Sequence, residues 1–177
     1  MYCNGKIGAS ALLMAMTSLT AGIGASPVSA QSVTLPALFP TPTSINLGTG
    51  NLTLGSSVVL VVAPGTEPET VALVRQILAT AGVATIATAK RVPATPDRPH
   101  IVLGTGDTAL VRDALDRSKT TLDTHAEGYT FATVAAGAGI ITLAGHDADG
   151  LFHAAQTFRQ LARRPGLPAL VIQDHPA

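Results

Sequence analysis

The chain has 177 residues, of which 46% are hydrophobic, and it carries 11 basic and 11 acidic side chains. This length and composition fit one ordinary domain with enough apolar material for a core. Because the charge is balanced and the densest basic residues fall in one predicted helix, we expect no nucleic-acid partner. Aromatic residues make up 3% of the chain and tryptophan is absent, which argues against an aromatic platform for stacking sugars.

The first 30 residues have the three zones of a secretory signal. One lysine, Lys6, precedes an uncharged run rich in Ala, Leu and Met, which ends in the small-residue pattern Val28-Ser29-Ala30. We therefore predict a signal peptide over residues 1–30 and a secreted protein. The run is long enough to span a bilayer, but its Gly, Ser and Thr content favours cleavage over a stable membrane anchor. Cleavage would remove Cys3, the only cysteine, so no disulfide framework is expected.

Residues 31–50 contain three prolines and show no strand or helix period, which predicts an extended lead-in to a domain over 51–177. The domain is predicted to run strand, helix, two strands, helix, two strands, helix, strand. The predicted strands lie at 58–62, 83–89, 101–103, 127–134, 139–145 and 169–174. A hairpin within such an alternation predicts an α/β (α+β-like) fold, with a mixed sheet covered by about three helices.

The predicted helices have recognisable starts. Thr66-Glu67-Pro68-Glu69 combines a capping-box pattern with an early proline, and the first helix ends before Gly82. Asp107 is predicted to cap the second helix, and a third helix begins near Asp147. The inner face of the second helix is predicted to be Leu110, Val111, Ala114 and Leu115, and that of the third Leu151, Ala155, Phe158 and Ala162.

The segment "GTGDTA", beginning at Gly104, has the G-x-G-x-x-A form of a dinucleotide-binding turn. A dinucleotide site also needs a parallel crossover and an acidic residue at the end of the next strand. Asp123 has the right spacing, but it precedes a strand that is predicted to belong to an antiparallel hairpin. We therefore interpret Gly104 and Gly106 as allowing a sharp turn from strand to helix, and expect no nucleotide cofactor.

A metal site is the next alternative. None of the five histidines forms an i, i+4 pair, although His146 and His153 could share a helix face near Asp147 and Asp149. Capping of the third helix by one of these aspartates is the simpler interpretation, so no metal ligand is predicted.

Catalytic motifs are equally lacking in the sequence. Glu67 and Glu69 belong to a helix start and Glu127 opens a strand, so no pair of acids faces across a sugar. There is no G-x-S-x-G motif for a nucleophilic serine. The residues alone therefore predict no catalytic residue.

The segment "AEGYTFATVAAGAGIITLAGHDADGLFHAAQTFRQLARRPGLPALVIQDHPA" closely resembles the end of the N-terminal domain of bacterial β-N-acetylhexosaminidases and β-N-acetylglucosaminidases, glycoside hydrolases of families 20 and 84. The "EGY" strand, the "IITLAG" strand, the "DADGLFHAAQTFRQL" helix and the closing "IQDHPA" carry the likeness. "LFPTP" and "VLGTGD" extend it over roughly residues 35–177.

The resemblance implies that this small domain precedes a catalytic (β/α)₈ barrel, which holds the acids and uses the N-acetyl group of the substrate as nucleophile. A barrel needs about 250 residues, so we expect a product truncated before it, inactive alone and meeting glycans only through that barrel. The matching residues are expected to be structural, although Gln156 and Arg159 could face the barrel. The matching set is Glu127, Gly128, Tyr129, Gln156, Thr157, Arg159 and Gln160.

The leading hypothesis is thus the accessory domain of a secreted exo-acting β-N-acetylhexosaminidase, with the greater likeness to family 84. The alternative is a free-standing secreted module that binds carbohydrate or protein.

Overall fold

The computed structural model describes residues 37–106, 108–163 and 166–176. They form seven strands, β1 (Ser44–Leu52), β2 (Ser57–Val62), β3 (Thr85–Ala89), β4 (His100–Thr105), β5 (Tyr129–Val134), β6 (Ile140–Gly145) and β7 (Leu167–Asp174). They also form three helices, α1 (Pro68–Thr80), α2 (Ala109–Arg117) and α3 (Ala148–Leu161). None of these helices is both long enough and apolar enough to cross a membrane.

All seven strands join one mixed sheet in the order β1-β7-β5-β6-β4-β2-β3. The half built from β3, β2, β4 and β6 is parallel. The other half is antiparallel, with β5 between β6 and β7, and β1 on the outer edge. The mixed sheet, the hairpin and the helical cover confirm the predicted fold class.

Alternate side chains of the central strands enter two different cores. Val58 and Leu60 face the layer that contains α1 and α3. Val59 and Val61 face the opposite layer, where they pack with Ala114 of α2. Because β2, β4 and β6 are covered on both faces, they appear in the sequence as continuous apolar runs rather than as alternating patterns, whereas β3 lies on the sheet edge and is largely exposed.

The first helix begins differently from the prediction. The Thr66 hydroxyl donates to the Ala63 carbonyl at 2.7 Å, and the N-cap residue is Glu67, which makes no side-chain capping bond. The capping box is therefore not formed, and Pro68 begins the helix. At the other end Gly82 has a φ of +88°, and the Val83 N–H donates to the Leu78 carbonyl at 3.0 Å. This is a Schellman termination, which a residue without Cβ adopts readily.

The second helix is capped by Thr108, whose Oγ1 accepts the Val111 N–H at 3.3 Å. The predicted cap, Asp107, lies outside the described residues. On the inner face, Val111, Ala114 and Leu115 are buried, whereas Leu110 is half-buried.

Strand β1 occupies the last part of the segment expected to be an extended lead-in. It pairs antiparallel with β7, from Ser44 opposite Gln173 to Leu52 opposite Leu167. Most of its side chains are exposed, since it lies on the sheet edge. Such a strand has no apolar alternation, so periodicity does not reveal it.

Gly104 lies buried in β4, where an added Cβ would be 2.9 Å from Val111 Cγ2 and closer still to Ala63 Cβ. We expect Gly104→Ala to lower the free energy of unfolding by about 1–3 kcal/mol through overpacking. Urea denaturation measures the change. Gly166→Ala is the control, because its new Cβ would meet only Asn51 Cβ, at 3.8 Å, and the Leu52 carbonyl oxygen beyond it. Equal losses in the two variants would contradict this explanation.

Candidate functional site

The start of α3 is fixed by Asp147, one of the two aspartates expected to cap it. Its Oδ1 accepts the Gly150 N–H at 2.8 Å, and its Oδ2 accepts the Glu127 N–H at 2.8 Å. These two backbone donors, that of Gly150 first, hold the pKa of Asp147 below its usual value. One ionised carboxylate therefore connects the helix to the turn that precedes β5.

That turn and the helix approach each other closely. Glu127 has a φ of +57°, and the Gly128 carbonyl accepts the His146 N–H at 2.8 Å. A Cβ added to Gly150 would collide with the Gly128 carbonyl oxygen. The matching residues at 127 and 128 thus have backbone roles, as expected for structural positions.

Farther along α3, Thr157 contacts the sheet. Its Oγ1 is hydrogen-bonded to the Tyr129 hydroxyl at 2.7 Å, and Asp174 Oδ2 lies 3.4 Å from the same hydroxyl. Burial raises the pKa of Tyr129 to about 12. The other oxygen of Asp174 accepts the Thr43 N–H at 3.0 Å and the Thr43 hydroxyl at 2.9 Å. Asp174 therefore connects the end of β7 to the residue before β1.

Gln160 fixes the segment that precedes β1 through two hydrogen bonds to Phe39. Its Oε1 accepts the Phe39 N–H at 3.0 Å, and its Nε2 donates to the Phe39 carbonyl at 2.9 Å. While the Phe39 backbone is held in this way, the residue as a whole is 85% exposed.

These elements enclose an open groove of about 480 Å³, which we call the α3 groove. Its sides are the 39–43 segment, α3 and the residues where β7 ends. Gln156 points into this region, and its Oε1 is buried without a hydrogen-bond partner among the described residues. The lining residues are Phe39, Pro40, Thr41, Thr43, Tyr129, His153, Gln156, Thr157, Gln160, Asp174, His175 and Pro176.

Gln156 and Arg159, the two residues that could face a barrel, lie on different sides of α3. Gln156 lines the α3 groove, whereas Arg159 is exposed beside Leu73 and Gln76 of α1. Only Gln156 of the two is therefore positioned near the end of β7.

Within the residues that the structure describes, the side chains that the sequence offers for a metal site do not converge. His146 is exposed, Asp147 is committed to the α3 cap, and His153 lies 3.6 Å from Glu127 instead. Gly104 serves close packing, and the strand after α2 is antiparallel to its neighbours, as predicted.

The sequence did not predict one cluster that the fold creates. Asp123 lies with its Oδ1 2.7 Å from His125 Nδ1 and its Oδ2 3.2 Å from His175 Nδ1. In the sequence the spacing of Asp123 relates it only to a nucleotide site, and His175 is too far along the chain for any spacing rule to connect it with His125.

Gln160→Ala removes both hydrogen bonds to Phe39. We expect the free energy of unfolding to fall by about 1 kcal/mol and the Phe39 amide to exchange its hydrogen faster. Hydrogen exchange and urea denaturation measure the two effects. Gln76→Ala, at an exposed position of α1, is the control. It should change the free energy of unfolding by no more than about 0.5 kcal/mol and leave hydrogen exchange at Phe39 as in the wild type. Unchanged exchange at Phe39 would contradict the assigned role.

Tyr129 makes stability depend on pH at the alkaline end. The usual pKa of tyrosine is 10.0, whereas that of folded Tyr129 is about 12. The unfolded chain therefore loses this proton first, and the contribution to stability falls as pH rises from about 10 to about 12. Denaturation midpoints of the wild type should fall more steeply over this window than those of Tyr129→Phe. Parallel pH profiles would refute the assignment.

Several solved structures share this fold. CpGH84D superposes with a TM-score of 0.68 at 18% identity, over 78% of this chain and 23% of that chain. For the β-N-acetylhexosaminidase of Bacteroides fragilis the TM-score is 0.52 at 20% identity, over 77% and 24% of the two chains. For the family 20 exo β-N-acetylglucosaminidase of Vibrio harveyi the TM-score is 0.54 at 16% identity, over 78% of this chain and 19% of that chain.

The chain spans between 19% and 24% of the length of these proteins. No curated protein matches it significantly. The family model described as "Glycosyl hydrolase family 20, domain 2" matches residues 35–175, nearly the whole extent of the described fold. The chain therefore belongs to the family of domain 2 of the family 20 glycosyl hydrolases.

Proposed function

We propose that this chain is the accessory N-terminal domain of a secreted β-N-acetylhexosaminidase and that it supports a catalytic barrel joined after β7. The family match and the names of the similar structures support this role. Those proteins are about four to five times longer than the matched part, which leaves room for a catalytic domain. Secretion rests on the signal pattern of residues 1–30.

The α3 groove is the observation that carries the proposal. His175 and Pro176, which follow β7, line the groove, so a domain continuing from them is held beside it. Tethering gives such a domain a high effective concentration at this surface. The exposed Phe39 offers it apolar contact.

Within the described residues, the acid that lines the α3 groove is Asp174, and it is occupied in structural contacts because it accepts hydrogen bonds from Thr43. Glu127 is not among the lining residues, and its Oε2 lies 3.6 Å from His153 Nε2. Hydrolysis by two acids needs a facing pair with a sugar between them. We therefore assign hydrolysis of terminal N-acetylglucosamine to the barrel, which the resemblance implies, and a supporting role to this domain.

The chain on its own should not hydrolyse an aryl N-acetylglucosaminide. Release of the aryl group is measured by absorbance against a heat-killed sample, with an active hexosaminidase as positive control. Turnover clearly above the heat-killed sample would show that this domain contains its own active site, contrary to the proposal.

The companion experiment is to read the DNA after codon 177 in all frames. A barrel sequence in frame, or displaced by one base, supports the proposal. If none is found and the chain is retained on chitin or peptidoglycan, a free-standing binding module replaces it.

A further inference from the structure

Asp123, His125 and His175 form a cluster beside the α3 groove, which His175 also lines. Asp123 and His125 belong to the loop between α2 and β5, and His175 follows β7 directly. The two imidazole rings are stacked, with centroids 3.8 Å apart and planes inclined by 18°. Each ring meets a different oxygen of the same carboxylate, at 2.7 and 3.2 Å.

The carboxylate is held in position by the surrounding backbone. The Asp123 N–H donates to Thr130 Oγ1 at 2.9 Å, and that hydroxyl donates to the Thr121 carbonyl at 2.9 Å. Asp123 Oδ1 also accepts the His125 N–H at 2.9 Å. The Asp123 side chain is 9% exposed, so its two oxygens are preorganised at the edge of the core.

Asp123 is ionised at neutral pH. Burial raises the pKa of its carboxyl, but hydrogen bonds from the backbone and ring of His125 and from the ring of His175 outweigh it, and the net pKa lies below the usual value. A negative oxygen ligand therefore stands beside two nitrogen ligands.

We propose that Asp123, His125 and His175 form a binding site for a divalent transition-metal ion of the Zn²⁺ type. One ligand atom from each residue lies within 4.8 Å of the others. Zinc binds imidazole nitrogen and carboxylate oxygen at about 2.0–2.2 Å, and two histidines with one carboxylate are a known zinc ligand set. Two nitrogen donors disfavour Mg²⁺ and Ca²⁺, which prefer oxygen. Three protein ligands leave a position open to water.

Binding requires a defined rearrangement of the rings. Since an ionised carboxylate only accepts hydrogen bonds, both Nδ1 atoms now carry the ring proton. For Nδ1 to bind the ion, each proton moves to Nε2 of its own ring through solvent, so a neutral ring stays neutral. The stacked rings must also turn until their planes converge on the ion. His125, whose side chain is 63% exposed, is free to turn.

A bound ion would connect the α2–β5 loop to the residue that follows β7. Because it binds the folded chain and these ligands are scattered in the unfolded one, it stabilises the fold according to its affinity and concentration. This inference does not depend on the proposed function, since no step of it involves a barrel or a glycan.

The test is calorimetric titration of the full chain, prepared without a polyhistidine tag, with ZnCl₂ and separately with MgCl₂. We expect one Zn²⁺ per chain and no Mg²⁺ binding. Zn²⁺ affinity should fall at least about tenfold in His125→Ala and in His175→Ala. His153→Ala is the matched control, because His153 is also a partly exposed histidine beside a carboxylate, Glu127, and should leave the affinity unchanged.

Thermal denaturation gives a second measurement. Zn²⁺ should raise the melting temperature of the wild type but not that of the His125→Ala/His175→Ala double variant, whose melting without metal shows that it folds. Absence of Zn²⁺ binding by the wild type, or equal binding by the folded double variant, would overturn the proposal.

Discussion

The carboxylate of Asp147 determines where α3 lies on the sheet, and the groove depends on that position. It accepts one N–H from the first turn of the helix and one from Glu127, whose left-handed conformation turns its N–H toward Asp147. Gly128 and Gly150 allow the two backbones to meet there. With its start fixed, the same helix brings Thr157 to Tyr129 and Gln160 to Phe39.

The two halves of the sheet differ in how far they are buried. Strands β2, β4 and β6 of the parallel half are buried between α1 and α3 on one face and α2 on the other. The antiparallel half ends at β1, a largely exposed edge strand, and its strand ends carry Tyr129, Asp174 and His175. Polar contacts and open surface therefore lie together at this edge of the sheet.

The nine elements from β2 to β7 could be predicted from the sequence, because each has its own apolar run or stripe, such as Leu151 to Phe158 on α3. The edge strand β1 could not, because pairing with β7 alone makes it a strand. Within the groove, Tyr129, Gln156 and Thr157 were identified through the family likeness. The contact of Gln160 with Phe39 joins residues 121 positions apart, and no local pattern reports a bond of that span.

The pairing of β1 with β7 has a mechanical consequence. Ser44 stands opposite Gln173, and Thr43 is bonded to Asp174, so the chain enters and leaves the sheet at the same corner. Tension applied between the preceding and the following segments would act across the strands at one end, opening their hydrogen bonds one after another rather than shearing them together. Once the two bonds of Gln160 to Phe39 have opened, strand β1 would separate next, at low force, while the pairs from β7 to β3 carry no load. Tension would thus detach the edge strand β1 while the remaining strands stay paired.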